Sequence, residues 1–246
     1  MKGEIFLFPK KVKKPKLRIF CFPYAGGSAS TFFPWVDQFQ KEVELVFVQP
    51  PGRASRIGER AHKSMKELVV ELISKIASIT DVPYVFFGHS LGGRVSYELA
   101  YQLYLAGIPL PKYIIVSASR AAHLKGVEGG IYNQNDCNFL NSIKNLNGTP
   151  RELLLNSELM ELLLPMLKAD FEIAETYQAQ EVPIPVSLHI LHGDQDINVS
   201  REQLDSWKSL STGNCSIKAM KGGHFFIDSD PESVIKEVEN VIYKLL

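Results

Sequence analysis

The sequence predicts an α/β fold built on a mostly parallel, doubly wound sheet. Three observations carry that reading. Apolar, β-branched-rich runs recur along the chain, most of them continuous rather than alternating, as strands covered on both faces require. Helical patterns separate them at short spacing, which is the strand–helix–strand rhythm of parallel sheets. The chain has 246 residues, of which 45% are hydrophobic, enough for one large core.

The strands are expected at 17–22 (LRIFCF), 43–48 (VELVFV), 84–88 (YVFFG), 113–118 (YIIVSA) and 186–191 (VSLHIL), with a weaker one at 215–220 (CSIKAM). A helix over 64–79 opens with Ser64 and Glu67 at capping-box spacing. A second, over 94–107, ends at Gly107 with Pro109 just beyond. A third, over 230–246, starts with Asp230 as N-cap and Pro231 at the first helical position. Between about 131 and 180 the rhythm breaks. No strand pattern occurs there, and Thr149, Pro150 and Glu152 read as the start of a helix carrying the stripe Leu159, Leu162, Leu163, Met166 and Leu167. That insertion is expected to be a helical lid over the end of the sheet, within one domain spanning 1–246. Leu159, Leu163 and Met166 are candidates to line a ligand pocket beneath it.

Composition narrows the function. Lys plus Arg and Asp plus Glu both number 27, so the formal net charge is zero, and nucleic acid is not the expected partner. No apolar run reaches the roughly 20 residues that span a bilayer. The basic start, PKKVKKPK, lacks an apolar core and cleavage site, so it reads as a disordered basic tail rather than a signal peptide. Cys21, Cys137 and Cys215 are scattered and odd in number, which suits a reduced cytoplasm and no metal site. A monomer is expected.

The stretch FFGHSLGGRVSYEL (86–99) places Ser90 between Gly88 and Gly92, at the junction of a strand and a helix. In open α/β sheets ligands sit at the carboxyl ends of the strands. A Gly-x-Ser-x-Gly turn there forces the serine hydroxyl outward and aims the Leu91 N–H where an oxyanion forms. The serine needs a base, and the base an orienting carboxylate, in the chain order serine, acid, histidine. His224, in the loop KGGHFF, is the candidate base. His189 lies within a strand pattern, His192 at its end, and His62 and His123 beside the wrong elements, while His89 is too near Ser90 in the turn. The acid is expected after the fifth strand, where LHILHGDQD offers Asp196 and, two residues earlier, Asp194. Asp196 has the favoured spacing, with Asp194 as its loop-forming neighbour.

Six segments in this order, CFPYAGGSASTF (21–32), VQPPGRASR (48–56), FFGHSLGGRVSYELA (86–100), LLPMLKADFEIAETY (163–177), LHGDQD (191–196) and GGHFF (222–226), resemble the external, or type II, thioesterases that accompany nonribosomal peptide and polyketide synthases. The resemblance covers nearly the whole chain. It implies an α/β-hydrolase fold, with Ser90 as nucleophile, His224 as base, Asp196 as acid, and the N–H groups of Leu91 and Ala25 as the oxyanion hole. It also implies a substrate, an acyl group on the phosphopantetheine arm of an acyl or peptidyl carrier protein, and an editing role that needs no metal or redox cofactor. Arg53 and Arg56, after a Pro-Pro-Gly loop, are candidates to meet the phosphopantetheine phosphate. The same three side chains would serve a carboxylesterase or a chain-terminating acyl-carrier-protein thioesterase with a preference for longer chains. A docking module without catalysis would have no use for all three.

Overall fold

The computed structural model describes residues 3–126, 129–146 and 156–246. Seven strands form one sheet: β1 (Phe6–Leu7), β2 (Leu17–Phe22), β3 (Val43–Val48), β4 (Tyr84–His89), β5 (Tyr113–Ser117), β6 (Ser187–Gly193) and β7 (Cys215–Met220), in the order β1-β3-β2-β4-β5-β6-β7. All neighbours are parallel except β1, which runs antiparallel to β3 with Phe6 opposite Val48. Every residue of β2, β3 and β4 is buried, which explains why the sequence runs are continuous rather than alternating.

The period-two alternation instead sorts side chains between two cores. Phe20, Phe22 and Phe86 face one side, packed with α1 (Met65–Ile76) and α2 (Leu91–Leu105). Ile19, Cys21 and Phe87 face the other, against Phe32 and Trp35 of a 3-10 turn and against the last long helix, Pro231–Ile242. Large side chains buried this fully contribute about 1.5–3 kcal/mol each, so both layers are firmly attached to the sheet that positions the site.

The 131–180 insertion contains α3 (Asp136–Leu146) and α4 (Ser157–Thr176). Its own small core joins Phe139, Ile143, Met160, Met166 and Leu167. The expected start at Thr149, Pro150 and Glu152 falls outside the described residues; α4 begins at Ser157, with the Asn156 side chain accepting the Leu159 N–H at 3.0 Å. Three further helices follow: α5 (Arg201–Asp205), α6 (Phe226–Ser229) and α7 (Pro231–Ile242). Ser64 and Asp230 cap α1 and α7 as their sequences require.

The basic tail is a correction. Residues from Gly3 onward are ordered against the sheet edge: Gln49 N–H donates to the Ile5 carbonyl at 2.8 Å, Lys10 pairs with Asp37, and the Val12 N–H donates to Glu44 at 2.9 Å. A two-residue edge strand carries too short a pattern to show in the sequence. Among the described residues, no helix is long and apolar enough to cross a membrane.

Candidate active site

Strand order reverses around β2, which lies between β3 and β4, and the carboxyl ends of β2 and β4 face the crevice where α/β sheets bind ligands. Ser90 sits there, between the last residue of β4 and the first of α2, at φ 53° and ψ −113°. That conformation is strained for a residue with a side chain and persists only where its surroundings enforce it. They do. A methyl group on Gly88 would stand 2.1 Å from the Gly92 carbonyl oxygen, and one on Gly92 would stand 2.2 Å from the Phe22 carbonyl oxygen. The Ser90 N–H is held by the Ser117 carbonyl at 2.7 Å.

Two loops bring the remaining groups to the hydroxyl. The turn after β6 and the turn after β7 are tied by Asp194 N–H to Met220 O at 2.8 Å and Gln195 N–H to Gly222 O at 2.9 Å. The Asp194 carboxylate accepts the Gly222 N–H at 2.8 Å, so it builds the loop pair and does not reach His224. Asp196 does: its Oδ2 lies 2.7 Å from His224 Nδ1, and its Oδ1 accepts the Asn198 N–H at 2.9 Å. His224 Nε2 lies 3.0 Å from Ser90 Oγ. The Asp196 side chain is 1% exposed and that of His224 16%. Burial pushes the Asp196 carboxyl up, but the hydrogen bond and charge of His224 and the Asn198 contacts outweigh it, leaving its pKa below the ordinary carboxylate value. The acid therefore stays ionised and fixes the imidazole with Nδ1–H toward itself, freeing Nε2 to accept a proton from the serine.

His89 stands behind this chain. Its ring packs edge-on against Tyr24, Phe226 and His224, and its Nδ1 lies 2.9 Å from Ser117 Oγ. Burial, then the neighbouring His224, drives its pKa well below the usual value. It remains neutral and presents no competing charge to His224. His189 meets Ser216 and Glu237 at the sheet flank, and His62 meets Glu71, so neither approaches Ser90.

Leu91 opens α2, and its N–H is one of the donors a helix start leaves without an intrahelical carbonyl. The turn after β2, Pro23–Gly27, supplies the other side of the crevice. Its Ala25 N–H meets no protein acceptor among the described residues. A cavity of about 20 Å³ lies here, lined by Phe22, Tyr24, Val48, Leu68, Leu91 and Val95 among others.

Arg53 and Arg56, the candidates to meet the phosphopantetheine phosphate, are not exposed loop cations. Both are buried, 4% and 2% exposed, and their guanidinium groups are engaged internally. Arg53 forks onto Asp170 and donates to the Pro51 and Gly27 carbonyls. Arg56 bonds Glu59, Glu71 and the Gln49 carbonyl. Arg56 is enclosed by these partners, while Arg53, with Asp170, also lines the small cavity beside Leu91; sequence alone places an arginine in a loop without saying which carboxylates close on it. The three candidates for the acyl pocket stand apart from the cavity beside Leu91. Met166 packs in the insertion's own core and also lines a cavity of about 240 Å³ with Gly52, Leu162 and Pro165, Leu159 and Leu163 are half-buried, and none of the three lines the cavity beside Leu91. Tyr24, Asp170 and Asp228 escaped the sequence reading. Asp170 was visible in principle: it falls on the same face as Leu163, Met166 and Leu167, and a carboxylate on an apolar stripe demands a buried partner.

A hydrogen-bonded aspartate, histidine and serine at the switch point of such a sheet define a hydrolase of the α/β-hydrolase fold. Comparison with known proteins narrows the class. The chain belongs to the thioesterase domain family, which it matches over residues 17–242, and is a hydrolase acting on thioesters. It is 32% identical over 244 residues to linear gramicidin dehydrogenase LgrE of Brevibacillus parabrevis, covering 98% of this chain and 93% of the relative. It is 33% identical over 213 residues to gramicidin S biosynthesis protein GrsT of Aneurinibacillus migulanus, covering 86% and 83%. Among solved structures, the type II thioesterase BorB from the borrelidin biosynthetic cluster superposes with a TM-score of 0.88 at 26% identity, covering 98% of both chains.

Proposed function

We propose that this thioesterase removes acyl groups from the phosphopantetheine arm of carrier proteins belonging to a nonribosomal peptide or polyketide synthase, an editing reaction in the cytoplasm. The observation that carries the mechanism is the unbroken chain Asp196–His224–Ser90, at 2.7 and 3.0 Å. Ser90 Oγ attacks the thioester carbonyl as its proton passes to His224 Nε2. The tetrahedral oxyanion is held by the N–H groups of Leu91 and Ala25, aided by the positive end of α2. The carbon–sulfur bond breaks, and the imidazolium returns the proton to the leaving thiolate. Water then enters, loses a proton to His224 and attacks the acyl-serine carbonyl; collapse of the second intermediate releases the carboxylic acid and restores the Ser90 hydroxyl. No metal or redox group takes part, and the pantetheine arrives with the partner.

The names of the relatives support a synthase partner, since they are gramicidin S biosynthesis and the borrelidin cluster. The test is kcat/KM on short acyl groups carried by a holo-carrier protein, against the same acyl groups as p-nitrophenyl esters. The reading expects the carrier thioester to be preferred by at least tenfold, about 1.4 kcal/mol of transition-state discrimination. Equal or reversed preference would refute a carrier protein as the substrate.

A further inference from the structure

Helix α4 meets the loop that carries the second oxyanion donor at two points directly and at a third through Arg53. Asp170 Oδ2 accepts the Gly26 N–H at 2.7 Å. Leu167, one turn earlier, covers Gly26 so closely that a methyl group there would lie 2.8 Å from its Cδ2. Arg53, forked onto both Asp170 oxygens, donates to the Gly27 carbonyl at 3.0 Å. On the other side of the loop, the Tyr24 hydroxyl donates to Asp228 of α6 at 3.0 Å, and its ring packs edge-on against Phe225. Ala25 thus lies between two residues, each tethered to a carboxylate on a different helix. The peptide that carries its N–H is held at the other end as well, because the Tyr24 carbonyl accepts the Gly27 N–H at 2.9 Å.

Arg53 and Asp170 are both almost fully buried. Such a pair is a weak source of stability compared with apolar side chains of equal volume, because two charges must be desolvated. Its specific product here is geometry: a fixed acceptor for one backbone N–H beside the nucleophile, mounted on the lid helix.

We propose that Arg53 and Asp170 are positioning residues for the oxyanion hole. Asp170 holds the Gly26 N–H, Arg53 holds Asp170 and the Gly27 carbonyl, and the Ala25 N–H faces the thioester oxygen only while the carboxyl-terminal half of α4 is seated. This rests on the reading of Ala25 as an oxyanion donor. Loosening the strut then removes stabilisation that exists only in the transition state, lowering kcat and leaving ground-state binding alone.

Asp170→Asn alone leaves a buried arginine unpaired, so the test uses two double variants. Arg53→Gln/Asp170→Asn keeps an acceptor for the Gly26 N–H without the charges. Arg53→Met/Asp170→Leu fills the volume and removes the acceptor. Each is measured for melting temperature, for kcat and KM on an acyl-pantetheine thioester, for inhibition by a trifluoromethyl ketone analogue that adds to Ser90, and for affinity toward the matching unreactive thioether.

The Met/Leu variant should fold, lose about 100-fold in kcat, and lose the same factor in ketone affinity, as deletion of an oxyanion donor does. Its thioether affinity should stay within about twofold of wild type, and the Gln/Asn variant should recover to within about tenfold in kcat. A folded Met/Leu variant with wild-type kcat overturns the proposal, as does one that loses ketone and thioether affinity together. If Met/Leu does not fold, Arg53→Gln/Asp170→Leu, which differs from Gln/Asn only in lacking the acceptor, decides: a loss of about 100-fold in kcat and ketone affinity relative to Gln/Asn supports the strut, and equality with Gln/Asn sinks it. Ala25→Pro, which deletes the donor itself, separates the two layers. Unchanged ketone affinity there refutes the donor assignment; weakened affinity there with none in Met/Leu refutes the strut alone.

Discussion

Gly88→Ala tests whether the strained serine turn is required. The added methyl would lie 2.1 Å from the Gly92 carbonyl oxygen and 2.6 Å from the Gly93 nitrogen, where even tight real contacts begin at 3.0 Å. Both obstacles are backbone, so no side chain can rotate away. Relief requires β4 and the start of α2 to part by roughly 1 Å, and overpacking of that kind costs about 3 kcal/mol or more. For a domain of this size that lowers the melting temperature by about 6–12 °C. The same displacement moves Ser90 Oγ and the Leu91 N–H relative to His224, and misplacement by about 1 Å costs on the order of 100-fold in rate. The assay pairs thermal melting with the rate of fluorophosphonate labelling at Ser90, using Gly58→Ala as control because its added methyl meets nothing within 4 Å. A Gly88→Ala protein that melts and labels like wild type would show that the turn relaxes without consequence, and the steric account would be wrong.

Further outcomes follow from the same geometry. Asp196→Asn should lower kcat by about 10⁴ through loss of the imidazole's orienting charge, while Asp194→Asn, which only accepts the Gly222 N–H, should cost far less; the reverse order in steady-state kinetics would reassign the acid. Stability should fall on acidification. In Asp196 and Glu71, burial acts upward, yet their hydrogen bonds, from His224 to the one and from His62 and Arg56 to the other, hold both pKa values below normal. A group depressed in the folded state stabilises above its unfolded pKa and loses that contribution as pH falls, and burial depresses His89 in the same way, so the urea midpoint should begin to drop below about pH 6.5 and fall more steeply below about pH 4, where the two carboxylates join. A midpoint that rises there contradicts the assignment. Met166→Trp, set in the lid core against Phe139, should cost about 1–3 kcal/mol by overpacking and leave acyl-length preference unaltered. A shifted length profile in a folded variant would return Met166 to the substrate path.

The sheet was legible because each central strand is an unbroken apolar run between capped helices. The triad was legible because its members lie in short motifs whose flanking residues have mechanical jobs: two glycines that no methyl could replace, and an aspartate placed past a strand end. What stayed hidden depends on contacts across long sequence separations. Arg53 looked like a free cation because its partner, Asp170, is 117 residues away on α4. The ordered N-terminal segment looked like a tail because its strand has two residues and its tethers, Asp37 and Glu44, lie on other elements. The Leu159–Leu167 stripe had the right period for a helix, but period alone does not say whether the buried face meets substrate or Phe139.

The central claim is that Ser90 carries the acyl group between thiol and water. Wild-type protein mixed with an acyl-pantetheine thioester and quenched within one turnover should show, by peptide mass spectrometry, an acyl adduct on Ser90 in step with thiol release. Ser90→Ala, folded to the same melting temperature, should form no adduct and release thiol at no more than the residual rate expected of a site that has lost its nucleophile, about 10⁴-fold or more below wild type. Undiminished thiol release by Ser90→Ala, or an adduct on any other residue, would contradict the account.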